Sequence, residues 1–285
     1  MQIDTSRLWK ADTPGYVVVL DAECRYDHVV HGRYLQAERF VPADVATLSP
    51  RDRRTDPRVT PRWACQQIVV LSWAIFADTD DGLRPLRMET RGAPELDEAG
   101  IVRAFFADMD ALQNVELVTW GGFHNDVPQI LLAAAAAGLR LPSCLSRLHS
   151  PWRRHSSGHR DLMTEMCAGA SSPHLAEVAA KFGIPAKVTC RPDLVSQLMD
   201  QGKWSSVKSV CEGDVLTTSM ILMHWRHLLG GSTSTLEATR RLCDFVTAHC
   251  GHRSYTAHWQ RFGERILQDA FTAENAKLAI MDAGR

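Results

Sequence analysis

Four consecutive apolar residues, Val17 to Leu20, run directly into Asp21-Ala-Glu23-Cys24. A short unbroken run of this kind predicts a strand buried on both faces, and therefore a sheet covered by other elements on each side. Nothing in such a strand explains two acids at its end. Side chains two residues apart along a strand point to the same face, so Asp21 and Glu23 project together as a pair of oxygen ligands. Adjacent carboxylates raise each other's proton affinity unless a cation lies between them, and a divalent metal is the usual remedy. Taken alone, the pair also reads as a solvated strand end leading into a polar loop, so the metal reading requires further acids elsewhere in the chain.

The 285 residues suffice for one large domain, or for one domain with a helical appendage. There is no apolar run of membrane-spanning length, and Met1-Gln-Ile-Asp-Thr-Ser-Arg7 lacks a basic flank followed by an apolar core. A soluble, cytoplasmic protein with no membrane partner is expected. The eight cysteines are scattered without a Cys-x-x-Cys pair, so neither a zinc knuckle nor a disulfide framework is indicated and buried free thiols are the default. With a formal net charge of -1 the molecule is not a polycation, so any nucleic-acid contact must come from local patches. Two are visible, Arg51-Asp-Arg-Arg54 with Arg58 and Arg62, and Trp152-Arg-Arg-His155 with His159 and Arg160. Either reads equally as a solvated loop.

In chain order, the segment from Arg25 to Pro61 has no sustained period and reads as a surface loop or hairpin insertion. Gln67 to Phe76 and Leu83 to Thr90 predict a second and third strand, antiparallel across the turn residues Asp78 to Gly82. Apolar positions at Ile101, Val102, Phe105, Phe106, Met109 and Leu112 predict a helix over Glu95 to Leu112, followed by a fourth strand from Glu116 to Trp120. Val127 to Gly138 predicts an Ala-rich helix, and a fifth short strand is expected around Leu145–Leu148. Helices are expected over Pro173 to Phe182, over Trp204 to Leu229 and, after Gly230-Gly-Ser-Thr-Ser-Thr235, through Ala283. The pattern implies an α/β or α+β domain whose fourth strand is reached by a crossover from the third.

Acids stand out at three places: Asp21 with Glu23, Asp126 after Gly121-Gly122, and Asp214 within an otherwise apolar helix. Val210, Val215 and Leu216 surround Asp214 with core-type residues, and a buried acid needs a partner. A metal shared with Asp21 would satisfy it, and so would partial exposure beside Glu212.

These segments resemble, in order, the motifs of the DEDD superfamily of 3′–5′ exonucleases, within the group similar to the exonuclease domain of family-B DNA polymerases. The resemblance rests on Val-Val-Leu-Asp21-Ala-Glu23 and Thr119-Trp-Gly-Gly122-Phe-His-Asn-Asp126-Val-Pro128. It continues through His159-Arg-Asp161-Leu-Met163, His174 to Lys187, and Cys211-Glu-Gly-Asp214-Val-Leu-Thr-Thr218. It spans roughly Tyr16 to Leu229, implying a ribonuclease H-like exonuclease domain over residues 1–229 and a C-terminal helical extension over residues 230–285. The implied fold is an α/β mixed sheet flanked by helices. Carried over, the metal ligands and catalytic residues are Asp21, Glu23, Asp126 and Asp214. They would hold two Mg²⁺ or Mn²⁺ ions, about 3.5–4 Å apart in such sites, on the scissile phosphate of a nucleic-acid 3′ end. Single-stranded or frayed DNA is the expected substrate, with RNA as an alternative because two-metal chemistry does not itself select the sugar.

Trp120, Phe123 and Trp152 are candidates for stacking on terminal bases, or else for core packing. His124 and Asn125 belong to the same substrate-side segment, and Lys187 is carried over as a phosphate contact or a lysine favoured by a helix C-terminus. Three departures from the family pattern are plain. Val210 and Ser209 occupy the positions where a water-orienting Tyr or His is usual. Gly121 stands where Asn is common, and Asn125 where Phe is common. His124, Lys208 and Ser209 are the candidates to replace the missing group. A catalytically weak or inactive member that binds nucleic-acid ends or a protein partner is the alternative implied by Val210.

Overall fold

A computed structural model describes residues 15–148 and 158–283. The opening strand, β1 (Tyr16–Tyr26), alternates Val17 and Val19 to one face with Val18 and Leu20 to the other, and all four are buried. Each face therefore packs against its own apolar cluster, as the unbroken run predicts. β1 does not stop at the acids but continues to Tyr26, so Asp21 and Glu23 lie within the strand rather than at its end.

The segment expected to be an irregular insertion is instead three short helices, α1 (His28–Ala37), α2 (Ala43–Ala46) and α3 (Pro50–Thr55). Caps rather than amphipathic periodicity start α1 and α3: the Asp27 carboxylate accepts from the N–H groups of Val29 and Val30 at 2.8 and 2.9 Å, and Ser49 precedes a proline at the start of α3. Only His31 of these helices is buried, which is why no hydrophobic period announces them.

β2 (Gln66–Thr79) and β3 (Gly82–Gly92) form the expected hairpin. The chain then crosses through α4 (Glu98–Asp110) to β4 (Val115–Thr119), which pairs in parallel with β1. α5 (Asp126–Ala136) follows. The fifth strand is β5 (His159–Asp161), parallel to β4, and not Leu145–Leu148. Leu145 and Leu148 are buried, but as plugs beneath the layer containing α4 and α5, with a 3₁₀ turn at Ser143–Leu145. Short apolar runs do not by themselves distinguish such a plug from a strand.

The sheet order is β3-β2-β1-β4-β5, with β2 alone antiparallel to the rest. This is a ribonuclease H-like mixed sheet. α4 and α5 cover one face. The helices that follow β5 are α6 (Leu162–Cys167), α7 (Leu175–Phe182), α8 (Val195–Asp200), α9 (Trp204–Leu228), α10 (Thr235–His249) and α11 (Thr256–Ala283). The other face is packed by α7, α9, α10 and α11, whose Ala179, Val215, Leu242 and Trp259 share a cluster with Val17 and Val19. The C-terminal segment thus contributes to the core of the sheet. No helix among the described residues is long and apolar enough to cross a membrane.

Candidate metal centre

The parity of β1 decides where its acids go. Asp21 and Glu23 share the face of Val17 and Val19, which is the face α9 covers. On α9, Val207, Val210, Cys211 and Asp214 recur at helical spacing, and this stripe packs on the sheet. Cys211 donates from its thiol to the backbone carbonyl of Asp21 at 3.2 Å, seating the helix one turn from Asp214. As a result Asp21, Glu23 and Asp214 each offer a carboxylate oxygen within 4.8 Å of the others. Asp214, 5% exposed, is the buried member, so its alternative reading as a half-exposed acid does not hold.

The fourth acid, Asp126, is the first residue of α5 and is also buried. Its charge acts on Asp21 and Glu23, although its oxygens lie outside the 4.8 Å group. The loop before it is shaped by its own backbone. Gly121 adopts a φ of +73°, and a Cβ on Gly122 would sit 2.6 Å from Thr119 Cβ and 2.7 Å from Asp126 Oδ2. A glycine is therefore required at position 122 for the Asp126 carboxylate to occupy its place.

Burial, followed by the charges of Asp214, Asp126 and Glu23, pushes the Asp21 carboxyl well above the usual carboxylate range, with Lys187 pulling against them. Burial and the Asp214 charge raise Glu23 to about 7. Asp126 also reaches about 7 through burial and the charges of Asp161 and Asp214. Asp214 is raised by burial, while Lys187 opposes the rise. A set of desolvated, mutually repelling carboxylates is the environment a hard divalent cation relieves, and the all-oxygen donor set fits such an ion.

Among the described residues, Lys187 is the cation that lies with the acids, its ammonium paired with Asp214. Burial works against its charge, but Asp214, Asp21 and Glu23 outweigh it and raise its proton affinity. Thr217 of α9 donates to the carbonyl of Pro185 at 2.8 Å, fastening the loop that carries Lys187, and Lys187 itself has a φ of +51°. This is a position facing the centre rather than a helix-end lysine.

The substrate-side candidates separate. Trp120 is half-buried against the α9-side core, so it packs. Phe123 is half-buried with its ring edge-on to His124 at 5.0 Å, and His124 and Asn125 are exposed on the loop entering α5. Of the water-orienting substitutes, Ser209 donates to the Ser205 carbonyl at 3.0 Å and Lys208 pairs with Glu95 at 2.6 Å, while Val210 is 3% exposed within an apolar cluster. Trp152 and the patch through His155 lie outside the described residues. Arg160 is engaged with Glu116 at 3.1 Å.

Two contributors carry no role in the sequence reading. Asp161 accepts from the N–H groups of Gly121 and Phe123, each at 2.9 Å, and from Thr164, clamping the glycine loop to β5. Its place in His159-Arg-Asp-Leu-Met163 is the signal that marked it. Glu212, 2% exposed, receives Arg253 at 2.6 Å and the Tyr255 hydroxyl at 2.9 Å, tying α9 to the C-terminal segment. Nothing in the local sequence distinguishes it from a solvated acid.

Among solved structures, the family B DNA polymerase from the hyperthermophilic archaeon Pyrobaculum calidifontis is similar over 81% of this chain and 29% of that one, at 16% identity and a TM-score of 0.43. Exonuclease I in its apo form is similar over 83% of this chain and 45% of that one, at 11% identity and a TM-score of 0.39. The chain spans less than half the length of either. No curated protein matches it. The model of a family described as predicted 3′–5′ exonucleases related to the exonuclease domain of PolB matches residues 61–266, a stretch that contains Asp126 and Asp214 and begins after Asp21 and Glu23. Since that match covers more than half of the chain, the protein belongs to this family of predicted 3′–5′ exonucleases related to the exonuclease domain of PolB.

Proposed function

We propose that this chain hydrolyses phosphodiester bonds from the 3′ end of single-stranded or frayed DNA, using two Mg²⁺ or Mn²⁺ ions held by Asp21, Glu23, Asp126 and Asp214. The observation that carries the reading is the convergence of carboxylates from β1 and α9 within 4.8 Å, with Asp126 coupled to them electrostatically. When bound, such ions supply an activated water and stabilise the departing 3′ oxygen. The protein's own part is to hold the acids fixed. β1 sets two on one face, the Cys211 thiol and the stripe of α9 fix the third, and the Gly121-Gly122 loop, clamped by Asp161, sets the fourth. Lys187, paired with Asp214 in the metal-free chain, would share that carboxylate with bound ions, and its ammonium would then be available to a phosphate oxygen.

The test is degradation of 5′-labelled single- and double-stranded DNA and RNA with Mg²⁺, with Mn²⁺ and with EDTA. A ladder shortening from the 3′ end, abolished by EDTA, is the expected result. No degradation of any substrate with either ion overturns the nuclease reading. A second reading, a weakly active or inactive binder of nucleic-acid ends, is favoured by Val210, whose buried apolar side chain cannot orient a water. It predicts retention of the same oligonucleotides without cleavage.

A further inference from the structure

A small cavity beside Asp214 and Lys187, lined also by Val210 and Trp259, is bordered by Pro185 and Val188. The same two residues line an open groove of about 390 Å³ that runs between the loop after α7 and helix α11. His258, Arg261 and Arg265 of α11 face into it, and no carboxylate is among the described residues that line it. All three are exposed. Arg265 spends one N–H on the Gly183 carbonyl at 2.7 Å and lies over the Phe262 ring, which holds its guanidinium at the groove edge; Arg261 approaches His258 at 3.3 Å. The floor is apolar and buried, formed by Ile184 and Phe262, and the charged groups stand at its rim.

A cationic groove on the loop that also carries Lys187 to the acidic centre has a specific complement. The centre needs cations to accept a phosphate, while the groove accepts phosphates directly. We infer that the groove between the 183–188 loop and α11 binds backbone phosphates of a nucleic-acid single strand whose 3′ end occupies the metal centre, with Arg261 and Arg265 as the phosphate contacts. This rests on the proposed nuclease reading for the direction of the strand. It assigns to the C-terminal helix a part in substrate binding, sequence-independent because backbone contacts carry no base information.

The test uses the full-length chain, EDTA to prevent cleavage and to leave the groove as the phosphate contact that is read, and 5′-fluorescein oligothymidylate or oligouridylate of about ten nucleotides, within the range of single-strand sites. Anisotropy is read across salt concentrations. Arg261→Ala combined with Arg265→Ala should make the slope of log K against log salt less negative by about 1.4, two contacts at about 0.7 each for a single strand. Arg261→Glu, which spares the Arg265 bond to Gly183, should weaken binding to both oligomers, and a melting curve verifies its fold. Arg84→Ala, a charge loss on β3, should bind as wild type does. An unchanged affinity and slope in Arg261→Glu overturns the inference, as does a wild-type chain that binds neither oligomer. Wild-type binding that depends on Arg261, without any cleavage when Mg²⁺ or Mn²⁺ is restored, overturns the nuclease reading and leaves the groove standing.

Discussion

Asp21 and Asp214 are brought together by the seating of α9 on β1, and burial raises the proton affinity of both carboxylates. Asp21→Asn should therefore abolish cleavage while raising the melting temperature of the metal-free protein, since it removes a repelling charge without opening the core. Nuclease assay and calorimetry on the same preparation check both halves. The pH dependence follows from the same cause. Glu23 and Asp126 titrate at about 7 in the folded chain, against about 4 when unfolded. Between those values the folded state binds more protons than the unfolded state, so stability is greatest at the acidic end of this window and falls as pH rises through about 7. Metal-free protein should melt lower at pH about 8 than at about 5.5, and Mg²⁺ should restore most of the difference at the higher pH. A melting temperature that rises with pH over this interval would contradict the placement of the acids. Val210→Tyr belongs at this scale too. Its 3% exposure among Val69, Val70, Met199 and Val207 leaves little room for a ring. The variant should lose about 1–3 kcal/mol by overpacking, with no gain in rate. A faster enzyme of unchanged stability would show that the position opens towards the attacking water.

The elements that hold the centre are positioned by a few hydrogen bonds and close approaches rather than by their propensities. Gly122→Ala puts a methyl group on Thr119 and on the Asp126 carboxylate, and neither Thr119 in β4 nor Asp126 at the start of α5 can move without shifting its element. The expected outcome is a folded protein with a cleavage defect comparable to that of Asp126→Asn, checked by activity and circular dichroism. On α9, Glu212 faces away from the metal centre and meets Arg253 and Tyr255. Glu212→Ala leaves a partly buried guanidinium without its partner and should cost about 3–5 kcal/mol, readable by urea unfolding. The bidentate pair of Arg226 with Asp78, at 2.7 and 2.9 Å, fixes the far end of the same helix to β2. α9 is thus tied along its length, which keeps Asp214 in register with β1.

For the whole molecule, the C-terminal helices are part of one core. Leu242, Phe245 and Val246 of α10, with Trp259 and Phe262 of α11, are buried in the cluster that contains Val17, Val19 and Val215. A chain ending at residue 229 would expose that cluster, and it is expected to be insoluble or to unfold at much lower denaturant than the full chain. Expression and urea titration of the two forms decide the matter; equal stability would mean that residues 230–285 are an appendage.

Local patterns determined much of this protein. The apolar runs of β1 and β2, the turn residues of the β2–β3 hairpin and the helical period of α4 are legible in the sequence, because each depends on residues within a few positions of one another. The ordered motifs from Asp21 to Asp214 pointed to the family for the same reason. Only the tertiary structure decided what burial and distant contacts control. It turned the 25–61 segment into capped helices that bury little, made Leu145 and Leu148 plugs instead of a strand, and placed Glu212 inside with partners more than 40 residues away. It set Lys187 against Asp214 through a loop fastened by Thr217. Sequence spacing reports which face of an element a side chain takes; which other element covers that face is settled by the packing of the whole sheet, which sets Asp214 beside Asp21 and Glu23 but Glu212 against Arg253 and Tyr255.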